Sequence, residues 1–135
     1  MNTSKRHKSY EEQRRFPRIP LAVPITVIYG KNQTLEAMVY DISPDGLQIR
    51  CSQDNAKLLH PVSEYIDRTK RPSIDTAFVL TIKNKERKVI AKCDITYMIE
   101  IENAELETEN AALGLHFTTL KGRSGKFVNQ FLFKK

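Results

Sequence analysis

The sequence predicts an all-β fold with helical additions. Two observations carry this. Six segments alternate apolar and polar residues with the period of a strand, and turn-forming residues separate most of them. Two further stretches, 53–73 and 121–133, abandon that period and space their apolar residues as helices do. The chain has 135 residues and is 40% hydrophobic, enough for one core.

The first strand segment is LAVPITVIY (21–29), with Leu21, Val23, Ile25 and Val27 on one face. Pro24 has no N–H to give a ladder, so it demands an edge or a bulge. GKNQ (30–33) is a turn, and TLEAMVYDI (34–42) follows with Leu35, Ala37 and Val39 inward. SPDG (43–46) has Pro and Gly where a tight turn wants them. LQIRCS (47–52) alternates Leu47, Ile49 and Cys51 against Gln48 and Arg50. IDTAFVLTIK (74–83) directs Phe78, Leu80 and Ile82 inward, and RKVIAKCDITYMIE (87–100) does the same with Val89, Ala91, Cys93, Ile95 and Tyr97. The last segment, AALGLHFTTL (111–120), buries Leu113, Leu115 and Phe117 and turns His116 outward. Such a set makes an antiparallel sheet, sandwich or barrel.

Between the third and fourth strands, Leu58, Val62 and Ile66 keep helical spacing, with Pro61 starting or kinking any helix there. In the C-terminal stretch Phe127 and Phe131, and Val128 and Leu132, form an amphipathic pattern ahead of Lys134 and Lys135. The acidic run 100–109 reads as an exposed hairpin loop.

The chain carries a net +6, and +4 of that lies in residues 1–20, where six basic side chains face Glu11 and Glu12. Such asymmetry suits an anionic partner, although a solvated tail has the same composition. No apolar run approaches the length of a membrane span, and no hydrophobic stretch follows the N-terminal charges as in a secretory signal. Cys51 and Cys93 have neither metal nor redox spacing and read as buried free thiols of a cytoplasmic protein.

Several motifs fail. Asp41, Ser43 and Asp45 followed by Gly46 imitate the start of a calcium loop, but its twelfth position is Ser52 and its flanks are strands. GRSGK (122–126) lacks the first glycine and the final hydroxyl of a phosphate loop, where Leu120 and Phe127 stand. None of His7, His60 and His116 has a ligand or catalytic neighbour at a useful spacing. No catalytic or metal-binding set is predicted.

One constellation survives: Arg14-x-x-x-Arg18 and, 23 residues beyond Arg18, Asp41-x-Ser43-x-x-Gly46. Composition gives about 0.6 chance copies of the arginine spacing but only about 0.025 of the second pattern, so the second weighs more. Arginine presents a planar fork that matches a phosphate or the O6/N7 edge of guanine. An ionised Asp accepts from the N–H donors on guanine's other edge. Ser43 adds a hydroxyl, and Gly46 allows both the turn and a close approach. Pro17 and Pro20 keep the arginine segment extended, as a strap. The bland readings are solvated arginines, and Asp41 and Ser43 bracing a turn.

QRRFPRIPL, VYDISPDGLQI and LGLHFTTL together resemble a PilZ domain across roughly residues 12–133. The resemblance implies a six-stranded antiparallel β-barrel with a C-terminal helix (121–133), here carrying a helical insertion at 53–73 that is longer than the usual connection. It implies a domain at 13–135 behind a flexible basic tail at 1–12. It also implies a bacterial receptor for the second messenger cyclic di-GMP and no enzymatic activity. Arg14 and Arg18 would clasp guanine and phosphate from the strap, with Arg15 a weaker candidate. Asp41 and Ser43 would contact guanine, and Gly46 would shape the surface. Gln13 lies where the number of bound ligands varies within the family. A protein partner is expected, its identity and the oligomeric state open; no cofactor, membrane insertion or nucleic-acid polymer is expected. The alternatives are a nucleic-acid-binding barrel using the basic tail, and a ligand-independent PilZ-like adaptor.

Overall fold

The computed structural model describes residues 18–61 and 66–133. Its strands are β1 (Ile19–Pro20), β2 (Pro24–Tyr29), β3 (Gln33–Ser43), β4 (Gly46–Cys51), β5 (Ser73–Ile82), β6 (Lys85–Glu100) and β7 (Ala111–Leu120). Every pairing is antiparallel. The order is β1-β3-β2-β5-β6-β7-β4, and an additional β3–β4 pairing closes six strands into a ring. Closure satisfies the ladder groups that an open sheet would leave at its edges.

Alternation builds the core as expected. Ile25, Val27, Leu35, Val39, Leu47, Ile49, Leu80, Val89, Ile95 and Leu113 all point inside and are almost inaccessible to water. Cys51 and Cys93 are among them as free thiols. Burial raises the Cys51 thiol to about 11 and that of Cys93 to about 12, so both stay protonated at neutral pH.

Three register shifts break strict alternation, one of them at Thr118 of β7, between the pairs Lys92–Thr119 and Cys93–Phe117. In β3 the register with β4 shifts between Val39 and Asp41, leaving Tyr40 as the surplus residue of a bulge. In β6 the register with β7 shifts between Ile95 and Tyr97, so Met98 and not Tyr97 enters the core. The inward assignment of Tyr97 is thereby corrected. Thr96, the residue skipped by the shift, donates from its hydroxyl to the Gly114 carbonyl.

The first predicted strand also begins later than expected. Pro20 and Pro24 interrupt the N–H series, so only residues 24–29 of the segment form a strand, β2, and the short β1 lies ahead of it, both against β3. Leu21 N–H to Tyr40 O and Val39 N–H to Val23 O bridge the gap. Pro24 sits at the first position of β2, where its missing donor does least harm.

Helix α1 (Gln53–Leu59) opens the insertion, capped by the Ser52 hydroxyl accepting from Asn55 N–H. It stops at His60 because Pro61 follows. The helical spacing from Leu58 onward therefore does not hold: Leu58 is 58% exposed, and Ile66 reaches the core from outside any helix. Val62 lies outside the described residues. A single 3-10 turn, Arg68–Lys70, precedes β5. The acidic connection from β6 to β7 carries another at Glu107–Glu109. Helix α2 (Ser124–Phe133) begins after a turn in which Gly122 takes a positive φ of 57°. It lies on β5 and β6, with Val128 buried and Phe127, Phe131 and Leu132 packed against the core. Lys134 and Lys135 lie outside the described residues. The buried Ser124 hydroxyl accepts from Ile90 N–H at 2.8 Å, pinning the helix to β6.

Candidate functional site

The candidate site forms where β1 joins β3. Ile19 pairs with Ile42 and Pro20 with Asp41, so the chain carrying the arginine motif enters along the β3 edge. Arg18 then reaches Asp41, and its Nη1 donates to Oδ1 at 3.0 Å. The Asp41 side chain is only 14% exposed, the Arg18 side chain 34%. With the Arg18 end one-third exposed and screened by solvent, the pair contributes about 0–1 kcal/mol to folding.

The bulge at Tyr40 is what aims Asp41. Strict alternation from Leu35, Ala37 and Val39 would send Asp41 into the core. With one residue added, Ile42 takes the core position and is fully buried, while Asp41 faces Arg18.

Ser43 is 5% exposed, and its hydroxyl accepts from Asp45 N–H at 3.3 Å. It braces the turn and offers little surface to a ligand in this conformation. Asp45 is exposed and contributes its backbone, its carbonyl accepting from Phe117 N–H. Gly46 has no positive φ. It pairs with Ser43 on one side and His116 on the other, and a Cβ there would collide with the Leu115 carbonyl oxygen. The close approach that glycine permits is therefore that of the β7 backbone. His116 is exposed, as expected. Arg14, Arg15 and Gln13 lie outside the described residues.

Sequence reasoning missed two residues here. Tyr40, 51% exposed, carries the Arg50 guanidinium 3.8 Å from its ring centroid. Arg50 Nε donates to Gln48 Oε1 at 3.0 Å, and Gln48 Nε2 donates to the Tyr97 hydroxyl at 2.9 Å. The Tyr97 ring lies against Gly114, where a Cβ would strike it. Arg18, Asp41, Tyr40, Arg50 and Glu109 line one cleft of about 460 Å³, a size suited to a small-molecule ligand. A larger groove of about 580 Å³ runs along β2 and β5, lined by Val23, Ile28, Phe78 and Val79. It contains neither motif, so the smaller cleft is the candidate.

A ring of six antiparallel strands with a helix packed beside β5 and β6, and Arg18 leading into β1, defines a small β-barrel domain. The PilZ domain family model matches residues 12–134, and the chain belongs to that family. Three solved structures share its fold. The E. coli YcgR PilZ domain with c-di-GMP is 14% identical with a TM-score of 0.59, over 90% of this chain and 89% of that one. The Bacillus subtilis inhibitor of motility MotI/DgrA is 10% identical with a TM-score of 0.66, over 89% of this chain and 49% of that one. This chain thus spans about half the length of the Bacillus protein. The PilZ domain of CeSA, from a cellulose-synthesizing bacterium, is 14% identical with a TM-score of 0.51, over 87% and 95%. No curated protein matches the sequence. Among the described residues no helix is long and apolar enough to cross a membrane.

Proposed function

We propose that this chain is a non-catalytic, cytoplasmic receptor for cyclic di-GMP that signals to a protein partner. The observation that carries the reading is the meeting of the two motifs: Arg18 and Asp41, 23 residues apart, stand 3.0 Å apart on the open face of the ring. Their chemistry complements guanine. The arginine donates to O6 and N7, and the carboxylate accepts from N1–H and the exocyclic amine. A guanine entering the cleft exchanges one exposed ion pair for two sets of charge-assisted hydrogen bonds. Arg14 and Arg15, upstream on the strap, then face the two phosphodiesters, while Ser43 and Gly46 hold the turn that presents Asp41. Family membership and the ligand named for the YcgR domain support the same ligand class.

The signal follows from the strap. Residues 1–17 lead directly into Arg18, so a ligand that takes Arg18 also repositions the chain entering β1. Fixing residues 1–17 on a ligand has an entropic cost that the arginine contacts must exceed. The surface beside β1 then differs between free and bound protein, which is what a partner reads.

Isothermal titration of the full chain with cyclic di-GMP tests the reading. Saturable binding below tens of micromolar is expected, with a single-stranded oligonucleotide failing to compete at physiological salt. No heat at that concentration, or binding of the oligonucleotide instead, refutes it.

A further inference from the structure

The cleft holds a second arginine that neither motif includes. Arg50 lies on β4 opposite Met38, beside the bulge at Tyr40. Its guanidinium is fixed from two directions: Tyr40 covers one face, and Gln48 occupies Nε. Gln48 is in turn held by Tyr97, whose ring rests against Gly114. This network spans β3, β4, β6 and β7 and depends on the β6 bulge, which turns Tyr97 to the outer face.

A side chain braced in this way has lost its rotamer freedom before any ligand arrives. Nη1 and Nη2 of Arg50 nevertheless have no hydrogen-bond partner among the described residues. No described carboxylate forms an ion pair with it, although Glu109 lines the same cleft. The end of the guanidinium is thus an oriented fork of unused donors facing the cleft that contains Arg18.

We propose that Arg50, braced on Tyr40, is a second anion-binding arm of this cleft and holds a phosphodiester oxygen of the bound cyclic dinucleotide. This rests on the receptor reading above and adds a contact outside both signature motifs. The brace fits a phosphate in particular. With Nε committed to Gln48, the fork must engage end-on, and a phosphodiester offers two oxygens at matching spacing.

The test is calorimetric titration of cyclic di-GMP into the full chain and into Arg50→Ala, Arg50→Lys, Tyr40→Leu and Arg18→Ala, with thermal unfolding of each. Arg50→Ala is expected to bind about tenfold more weakly, and Arg50→Lys and Tyr40→Leu each severalfold more weakly, because the two-donor fork or its brace is lost. Melting temperatures should stay close to the parent's. If Arg50→Ala binds like the parent while Arg18→Ala is impaired, the inference falls and the receptor reading stands. Arg50→Lys binding like the parent overturns the braced two-donor contact. A parent chain that binds no cyclic di-GMP removes both.

Discussion

Two sides of the strand ring are finished in opposite ways. On the covered face, β5 and β6 run in unbroken register from Ser73 opposite Asp94 to Ile82 opposite Lys85, and α2 packs beside them, adding Val128, Phe127 and Phe131 to the interior cluster while the outward side chains Val79 and Ile90 stay exposed. On the open face, β3 and the far end of β6 are each interrupted by a bulge. Bulged pairing breaks the alternation and delivers Asp41 and Tyr97 to a surface where, beside the outward Tyr40, Arg18 and Arg50 can meet them. The same device separates scaffold from site: one added residue moves a side chain from the core to the surface without opening the ring.

Substitutions should separate the faces. The largest effect belongs to the covered face. Val128→Asp would bury an unpaired carboxylate under α2 and should cost about 3 kcal/mol or more in urea unfolding. Next is Gly46→Ala, where the new Cβ meets β7 backbone that cannot move cheaply. A loss of about 2 kcal/mol is expected, and an unchanged midpoint would mean the β4–β7 contact is looser than described. On the open face the order reverses. Arg18→Ala should leave stability within about 0.5 kcal/mol, yet weaken cyclic di-GMP binding by about 1.5–3 kcal/mol, roughly tenfold to a hundredfold. A variant that loses stability but not affinity would contradict the division of roles.

The smallest effect concerns the interior thiols. Both are raised above the ordinary cysteine value of 9.0, to about 11 and about 12. The unfolded chain therefore releases these protons first as pH rises, and the folded state holds more protons between about pH 9 and 12. Stability should decline across that window. A Cys51→Ala, Cys93→Ala double variant should show a shallower decline in melting temperature, and an identical slope would mean other groups dominate.

The strands were legible because one face of each is buried, which forces the period of two onto the sequence. Pro24 signalled an edge or bulge, but the strand start at Pro24 and the helix end before Pro61 came out only in the structure. What stayed hidden was the phase. Nothing in VYDI or DITYMIE signals a bulge, so Tyr97 read as core and Asp41 stood at an inward position in a strict count. The functional reading of Asp41 came instead from its spacing to Ser43 and Gly46. Arg50 looked like any outward strand residue, because its significance depends on Tyr40 standing beside it. That contact follows from the pairing of β3 with β4 and not from spacing along the chain. Gly46 was anticipated as a glycine that allows close approach, but the approaching group is the β7 backbone, 69 residues away at Leu115.

Backbone amide chemical-shift mapping during titration with cyclic di-GMP bears most directly on the claim that the bulged face is the ligand site. Shifts should concentrate at Arg18, Ile19, Leu21, Tyr40, Asp41 and Arg50, with α2 and the paired stretch of β5 and β6 nearly silent. Perturbations centred on Phe127, Val128 and Val79, or none at saturating ligand, would contradict it.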